Sequence, residues 1–393
     1  MTIKISANEN GEINTMVTFV TDTTVTSDQF VGSGTAYTFG ANNLNLTINP
    51  QVAVVSQSNI ASAILNLFTG SRLANSGNIV SASQTQAAVD FSGNNGRIEN
   101  NSSGSIIGAT AISLNGATED VINYGRIVGY AGSGVFLDSS ASAVAVYNIG
   151  EIYGRFAGVR ATAPGQNQFD NYGTVRSGSA GVDVTAGTLT MYNEGTIESD
   201  GSAIFTSGTG SFYLTNKGTL KGGINCTADG NDAVINFGGV IEGDVNLGDG
   251  SDVFNGLGGK SGTIRGGFGE DSLIGGKGAD ILYGEGDTDT FVFASAKETG
   301  KGANRDKIMD FGNNPNEKID LESFDAKKGP GNQDFHFIGG QKFHHKAGEL
   351  HVLKKGGDMS LVEGDINGDG KADFQIEVHS LFPLDKGDFL GVS

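Results

Sequence analysis

The sequence has no tryptophan, one cysteine and five prolines in 393 residues. A single cysteine excludes an intrachain disulfide. Five prolines beside 63 glycines, with no three-residue period, exclude collagen and a proline-rich linker. Long apolar helical periodicity is missing, so few helices are expected. No apolar run approaches the roughly 20 residues of a membrane helix, and no membrane span is expected. Lys and Arg number 25 against 44 Asp and Glu, a net charge of −19. Phosphate binding needs a basic footprint, so nucleic acid is not an expected partner. The opening stretch from Met1 to Asn10 lacks the apolar core and small-residue cleavage site of a secretory signal peptide. Taken alone, these absences point to a cytoplasmic protein.

What is present is repetition. An Asn-x-Gly-x-aliphatic unit recurs at Asn123, Asn148, Asn171, Asn193, Asn216 and Asn236, with earlier copies at Asn75 and Asn94. The six regular asparagines are spaced 25, 23, 22, 23 and 20 residues apart, a period suited to one coil of a parallel β-helix. An apolar residue precedes each by two positions (Val121, Val146, Phe169, Met191, Leu214, Val234). An aliphatic follows by four (Ile127, Ile152, Val175, Ile197, Leu220, Val240). About eleven residues on, a small residue is followed by an aliphatic, as in Gly134-Val135 and Gly158-Val159. Side chains alternate in and out along a strand, so each set is expected to form one internal column. The asparagines are expected to form an internal ladder, with each glycine supplying the turn's backbone conformation. Cys226 follows Ile224 as Val184 follows Val182, which predicts a buried thiol. From Asn75 to Val245 the repeats resemble the passenger repeats of bacterial surface and autotransporter adhesins.

From Leu247 the period shortens to nine. Gly266 to Ile274, Gly275 to Tyr283 and Gly284 to Val292 follow one another in phase, and Leu247 to Asn255 keeps the register. Gly256 to Ile264 has the length but no aspartate at its sixth position. This is the Gly-Gly-x-Gly-x-Asp-x-aliphatic-x unit of a calcium β-roll. Six residues form a turn that exposes carbonyls and one carboxylate; three form a short strand with its aliphatic inward. Two units complete a coil, so turns eighteen residues apart stack, and oxygens of stacked turns would share Ca²⁺. The expected ligands are Gly248, Gly250, Asp252, Gly267, Gly269, Asp271, Gly276, Gly278, Asp280, Glu285, Asp287 and Asp289. Asp252, Asp271 and Asp289 fall on one side, with Asp280 on the other. Asp306 is a candidate to close the last site. The charge agrees, because 27 of the 44 acids lie from Ile241 onward.

After the nonapeptides come Phe291-Val-Phe293, Asp306-Lys-Ile-Met-Asp310-Phe311, Lys318-Ile-Asp320-Leu321, Gly364 to Val378, and a terminal Asp388-Phe-Leu-Gly-Val-Ser393. From Gly248 to Ser393 this succession resembles the C-terminal domain of serralysin-type metalloproteases and related RTX (calcium-repeat) proteins. The resemblance implies an uncleaved C-terminal signal for type I export through an ABC transporter, hence a secreted protein that is extracellular or attached to the cell surface. It stops short of the protease. The His-Glu-x-x-His zinc helix is absent, and all five histidines lie at His336 or beyond. The expected fold is all-β: a right-handed parallel β-helix over 1–245, a calcium β-roll over 246–293 and a β-sandwich-like module over 294–393.

Three smaller readings follow. Asp365, Asn367, Asp369 and Asp373 have EF-hand-like spacing, but Ile376 stands where a bidentate glutamate belongs; a tight hairpin is the preferred alternative. His344 and His345, read as strand neighbours, would point to opposite faces as a solvated pair. Outward charges at Arg126, Glu151, Arg176, Glu198 and Lys221 read as ion ladders. Two function classes remain. One is a non-catalytic surface, matrix or adhesive protein, with itself or cell-surface glycans as partners. The other is a polysaccharide-modifying enzyme, which needs a paired acid such as Asp183 and a second carboxylate.

Overall fold

The computed structural model describes residues 17–393, so the reading of Met1 to Asn10 lies outside the described residues. The chain forms two compact units, one of Met1–Phe212 with Leu220–Gly222 and one of Tyr213–Thr219 with Gly223–Ser393. Both are all-β solenoids, as the repeats predict. Among the described residues no helix is long and apolar enough to cross a membrane.

In the first unit each coil has three short strands, each paired in parallel with its counterpart one coil away. Ala145–Asn148 lies between Asp120–Asn123 and Gln166–Asn171. Glu151–Gly154 lies between Arg126–Gly129 and Thr174–Ser177. Ala157–Ala161 lies between Val135–Leu137 and Ala180–Val184. The predicted columns are in register. Val121, Val146, Phe169 and Met191 stack behind one wall, and Ile127, Ile152, Val175 and Ile197 behind the second. All eight are buried. Period-two alternation puts one side of each strand in the core, which drives collapse of a chain poor in long apolar runs.

The asparagine ladder is continuous within the unit. Nδ2 of Asn75, Asn100, Asn123, Asn148 and Asn171 each donates to Oδ1 of the asparagine one coil on, always at 2.8 Å. All are fully buried. In the second unit Asn216 donates likewise to Asn236. The glycine two residues later takes the expected positive φ at Gly238 (+81°) but serves a different purpose at Gly150. Gly150 is not in the left-handed region; a Cβ there would lie 2.1 Å from the carbonyl oxygen of Gly125 one coil away. Close approach of stacked turns, not backbone handedness, requires it. Replacing Asn123 with alanine strands a donor on Asn100 and an acceptor on Asn148. Each buried orphan costs about 1–3 kcal/mol, so a loss of about 2–6 kcal/mol is expected in urea unfolding of the full chain.

The outward charges join into one ladder. Glu151 bridges Arg126 (3.4 Å) and Arg176 (3.4 Å), and Glu198 bridges Arg176 (3.7 Å) and Lys221 (3.9 Å). All five are substantially exposed, so each pair contributes a few tenths of a kcal/mol.

In the second unit two columns persist. Ile224, Val245, Ile264, Leu282 and Ile308 form one. Val234, Phe254, Leu273, Phe291, Ile319 and Phe389 form the other. The third sheet ends with Val240–Glu242. Losing that wall is why the repeat shortens from above 20 residues to nine per half-coil. Cys226 is fully buried on the inward side, as expected.

The C-terminal module builds on the same columns. Asp306–Phe311 continues one wall, and Phe374–Ser380 pairs beside it in parallel. Glu349–Gly356, Met359–Asp365 and Phe374–Ser380 form an antiparallel ribbon over a core of Phe324, Phe335 and Phe374.

Candidate metal centre

The nonapeptide turns stack in two rows. In the first, the backbone N–H of Asp252 donates to Oδ1 of Asp271 at 2.9 Å, and that of Asp271 to Oδ1 of Asp289 at 3.1 Å. In the second, the N–H of Asp280 donates to Oδ1 of Asp306 at 2.9 Å. Asp271, Asp289 and Asp306 thus each reach back to the preceding turn of their row, whereas the carboxylate of Asp280 accepts no hydrogen bond. Asp306 stands beneath Asp280, so it closes the opposite row from Asp289. These five carboxylates are no more than 2% exposed.

Four of the five have unsatisfied oxygens. Oδ2 of Asp252, Asp271 and Asp289 and both oxygens of Asp280 are buried and receive no hydrogen bond. Burial pushes all five up: Asp271 to about 6, Asp280 and Asp289 to about 7, Asp252 to about 8 and Asp306 to about 9. Repulsion from neighbouring carboxylates adds to it. Buried carboxylates with unsatisfied oxygens are a donor set suited to a cation.

The turns present the remaining donors. Gly248, Gly250, Gly267, Gly269, Gly276 and Gly278 all take φ between +96° and +140°. A Cβ at Gly267 would lie 1.7 Å from the carbonyl oxygen of Gly248, so glycine is required for space as well as conformation. In the third turn Glu285 and Asp287 occupy the equivalent positions at φ +72° and +70°. Oε1 of Glu285 is paired with Arg265 at 3.0 Å.

The donors are all oxygen. Among the described residues no group of three or more His, Cys, Asp or Glu side chains clusters as a metal site by itself. A ligand set dominated by carbonyls with one or two carboxylates suits Ca²⁺, which takes six to eight oxygens, and does not suit Zn²⁺. The residues therefore fit calcium. At the degenerate turn, where no aspartate stands, the Lys277 ammonium donates to the carbonyl of Gly258 at 3.2 Å.

The structure adds residues that spacing alone did not single out. Asp310 receives the N–H groups of Gly284 (3.1 Å) and Glu285 (2.9 Å), capping the row where no further nonapeptide stacks. Asp232 donates its N–H to Oδ1 of Asp252 at 2.7 Å, one coil above the first nonapeptide. The run Thr227-Ala-Asp-Gly230-Asn-Asp232-Ala-Val234 keeps glycine, aspartate and aliphatic at the fourth, sixth and eighth places, and that phase was the available signal.

Other candidates resolve differently. Asp365 accepts from the N–H groups of Gly368 and Gly370, and Asp373 from those of Ile366 and Asn367. Those carboxylates cap a hairpin, with Gly364 opposite Phe374. His344 and His345 lie in a loop, not on a strand, and have separate partners: Glu349 at 3.0 Å and the carbonyl of Asp369 at 3.0 Å. Loop backbone, not strand alternation, separates them. Asp183 is buried against Arg160 at 3.1 Å, whose guanidinium sits over the ring of Phe156. Its partner is thus a cation and not a second acid.

Stacked short strands, inward aliphatics and oxygen-lined glycine turns define a calcium-type β-roll. Residues 193–390 match the family described as peptidase M10 serralysin C terminal, and the chain belongs to that family. No curated protein matches the chain. The family is one of secreted, calcium-binding β-roll proteins exported by the type I route through an ABC transporter.

Proposed function

We propose that this chain is a calcium-dependent structural or adhesive protein of the cell exterior, which folds as it leaves its exporter. In this reading Asp252, Asp271, Asp280, Asp289 and Asp306 and the glycine turns between them hold the calcium ions. Calcium supplies the charge that lets these carboxylates stay ionised while buried. The coils preceding the roll serve as an adhesin-like scaffold, and the chain divides by role into scaffold (1–245), roll (246–293) and export module (294–393). The observation that carries the calcium part is the set of buried carboxylate oxygens with no donor. The structural role rests on the buried asparagine ladder and on the exposed ion-pair ladder from Arg126 to Lys221. Asp183, the acid a hydrolase would need, is held by Arg160 and lacks a second carboxylate, which weighs against the polysaccharide-modifying alternative. Electron microscopy of the purified full chain with and without millimolar calcium tests the reading. Filaments, sheets or clusters that require calcium are expected. Dispersed monomers in both conditions, with turnover of a polysaccharide substrate, would replace this reading with the enzymatic one.

A further inference from the structure

We propose a further divalent-cation site one coil upstream of the nonapeptides, between the turn of residues 227–232 and the turn of residues 247–252. It rests on the calcium reading above and extends it to a turn that lacks the repeat's first two glycines.

The downstream gaps set the pattern. Between turns 247–252 and 266–271, Asp252 N–H donates to Oδ1 of Asp271 (2.9 Å) and Ser272 N–H to the carbonyl of Asp252 (2.9 Å). Between turns 266–271 and 284–289, Asp271 and Thr290 repeat both bonds, at 3.1 and 2.8 Å. The upstream gap has the same pair: Asp232 N–H to Oδ1 of Asp252 (2.7 Å) and Val253 N–H to the carbonyl of Asp232 (3.0 Å).

The carbonyls repeat as well. A Cβ at Gly269 would lie 1.9 Å from the carbonyl oxygen of Gly250, and one at Gly250 would lie 2.5 Å from that of Gly230. A Cβ at Gly248 would meet the carbonyl oxygen of Cys226 at 2.8 Å and that of Ala228 at 3.3 Å, a looser approach than the 1.7 Å between Gly267 and the carbonyl of Gly248. Turn 227–232 therefore aims its carbonyls into the gap although Thr227 and Ala228 replace glycine.

The observation that points to a ligand is Asp252. Its Oδ1 is committed to the upstream turn, while its Oδ2 is buried without a partner in a residue only 1% exposed. If turn 247–252 met calcium only on its downstream side, this carboxylate would have no reason to reach up. The donor set is all oxygen: the carbonyls of Ala228 and Gly230 and the carboxylates of Asp232 and Asp252. It selects a calcium-sized divalent ion over zinc.

The test is native mass spectrometry of the full chain at saturating calcium, comparing the native chain with Asp232→Asn and Asp271→Asn. Asparagine keeps the shape and removes the charge. The expected result is one calcium fewer in Asp232→Asn than in the native chain, with circular dichroism unchanged. An unchanged ion count in Asp232→Asn, while Asp271→Asn loses ions, would overturn this site and leave the calcium reading standing. A native chain that binds no calcium would overturn both. Should Asp232→Asn fail to fold, anomalous scattering from calcium-grown crystals of the native chain decides: a peak between the two turns supports the site, and its absence there beside peaks downstream refutes it.

Discussion

Stripping calcium from the full chain is expected to unfold the roll and leave the asparagine-ladder coils of the first unit folded. Ordering backbone costs roughly 1–2 kcal/mol per residue, and glycine costs more than the average. The roll is mostly glycine in its turns and buries one aliphatic or phenylalanine per half-coil, such as Leu273, Leu282 or Phe291. Its buried carboxylates oppose folding whenever they are ionised. Extracellular modules bind calcium at roughly 10⁻⁴–10⁻³ M, well above free cytosolic calcium. At ten times Kd each site contributes about 1.4 kcal/mol, and several sites together exceed what a small roll can otherwise supply. Circular dichroism during calcium titration should report a cooperative gain of β-structure, and a thiol reagent should label Cys226 quickly in chelator and slowly in calcium. Asp271→Ala combined with Asp289→Ala should mimic chelator. Equal β-content and equal melting temperature with and without calcium would refute the switch.

The same carboxylates set the pH dependence. Without calcium their folded values, about 6 to 9, lie above the ordinary 3.8. A raised carboxylate favours the folded state while protonated. The apo roll is therefore most stable in acid, and this contribution is lost as pH rises through about 6 to 9. Calcium needs the ionised form, so protons compete with it. Protons and calcium nonetheless favour the same fold over an unfolded chain whose carboxylates are already ionised, so as pH falls from 8.5 to 5.5 the calcium concentration at the folding midpoint should fall, while the folded roll binds calcium more weakly.

Gly267→Ala is expected to abolish calcium-dependent folding of the roll, and Gly278→Ala only to weaken it. Both glycines take a φ that alanine resists, +123° and +134°. That conformational penalty is about 1–3 kcal/mol for each. Space separates them. A Cβ at Gly267 would sit 1.7 Å from the backbone oxygen of Gly248, while one at Gly278 meets nothing within 4 Å. No rotamer change relieves a clash with backbone, so turns 247–252 and 266–271 must part and their shared oxygens with them. Loss of more than about 4 kcal/mol is expected for Gly267→Ala, beyond the range of ordinary substitutions. The calcium midpoint of each variant checks this. Similar midpoints for the two would mean that the stacking of carbonyl on glycine is not what these turns require.

Much of this was legible in order of residues, because a solenoid converts sequence period into spatial stacking. The recurrence of Asn123, Asn148 and Asn171 with aliphatics at constant offsets determined the columns and the ladder. The phase of Asp271, Asp280 and Asp289 determined which carboxylates face the turns, and the burial of Cys226 followed from its place after Ile224. Which turn meets which was decided only in three dimensions. Stacking joins residues 18 to 26 positions apart, and a single extra residue moves the partner. The degenerate unit Gly256 to Ile264 puts its inward aliphatic one place late, so the step from Asp252 to Asp271 is 19 while that from Asp271 to Asp289 is 18. The loop between Phe293 and Asp306 places Asp306 under Asp280 and leaves Asp310 to cap Gly284 and Glu285. The role of Asp232, the pairing of Asp183 with Arg160 and the need for glycine at Gly150 depend likewise on what the adjacent coil presents. Those contacts are set by the close stacking of coils and by loop lengths that local residue patterns do not encode.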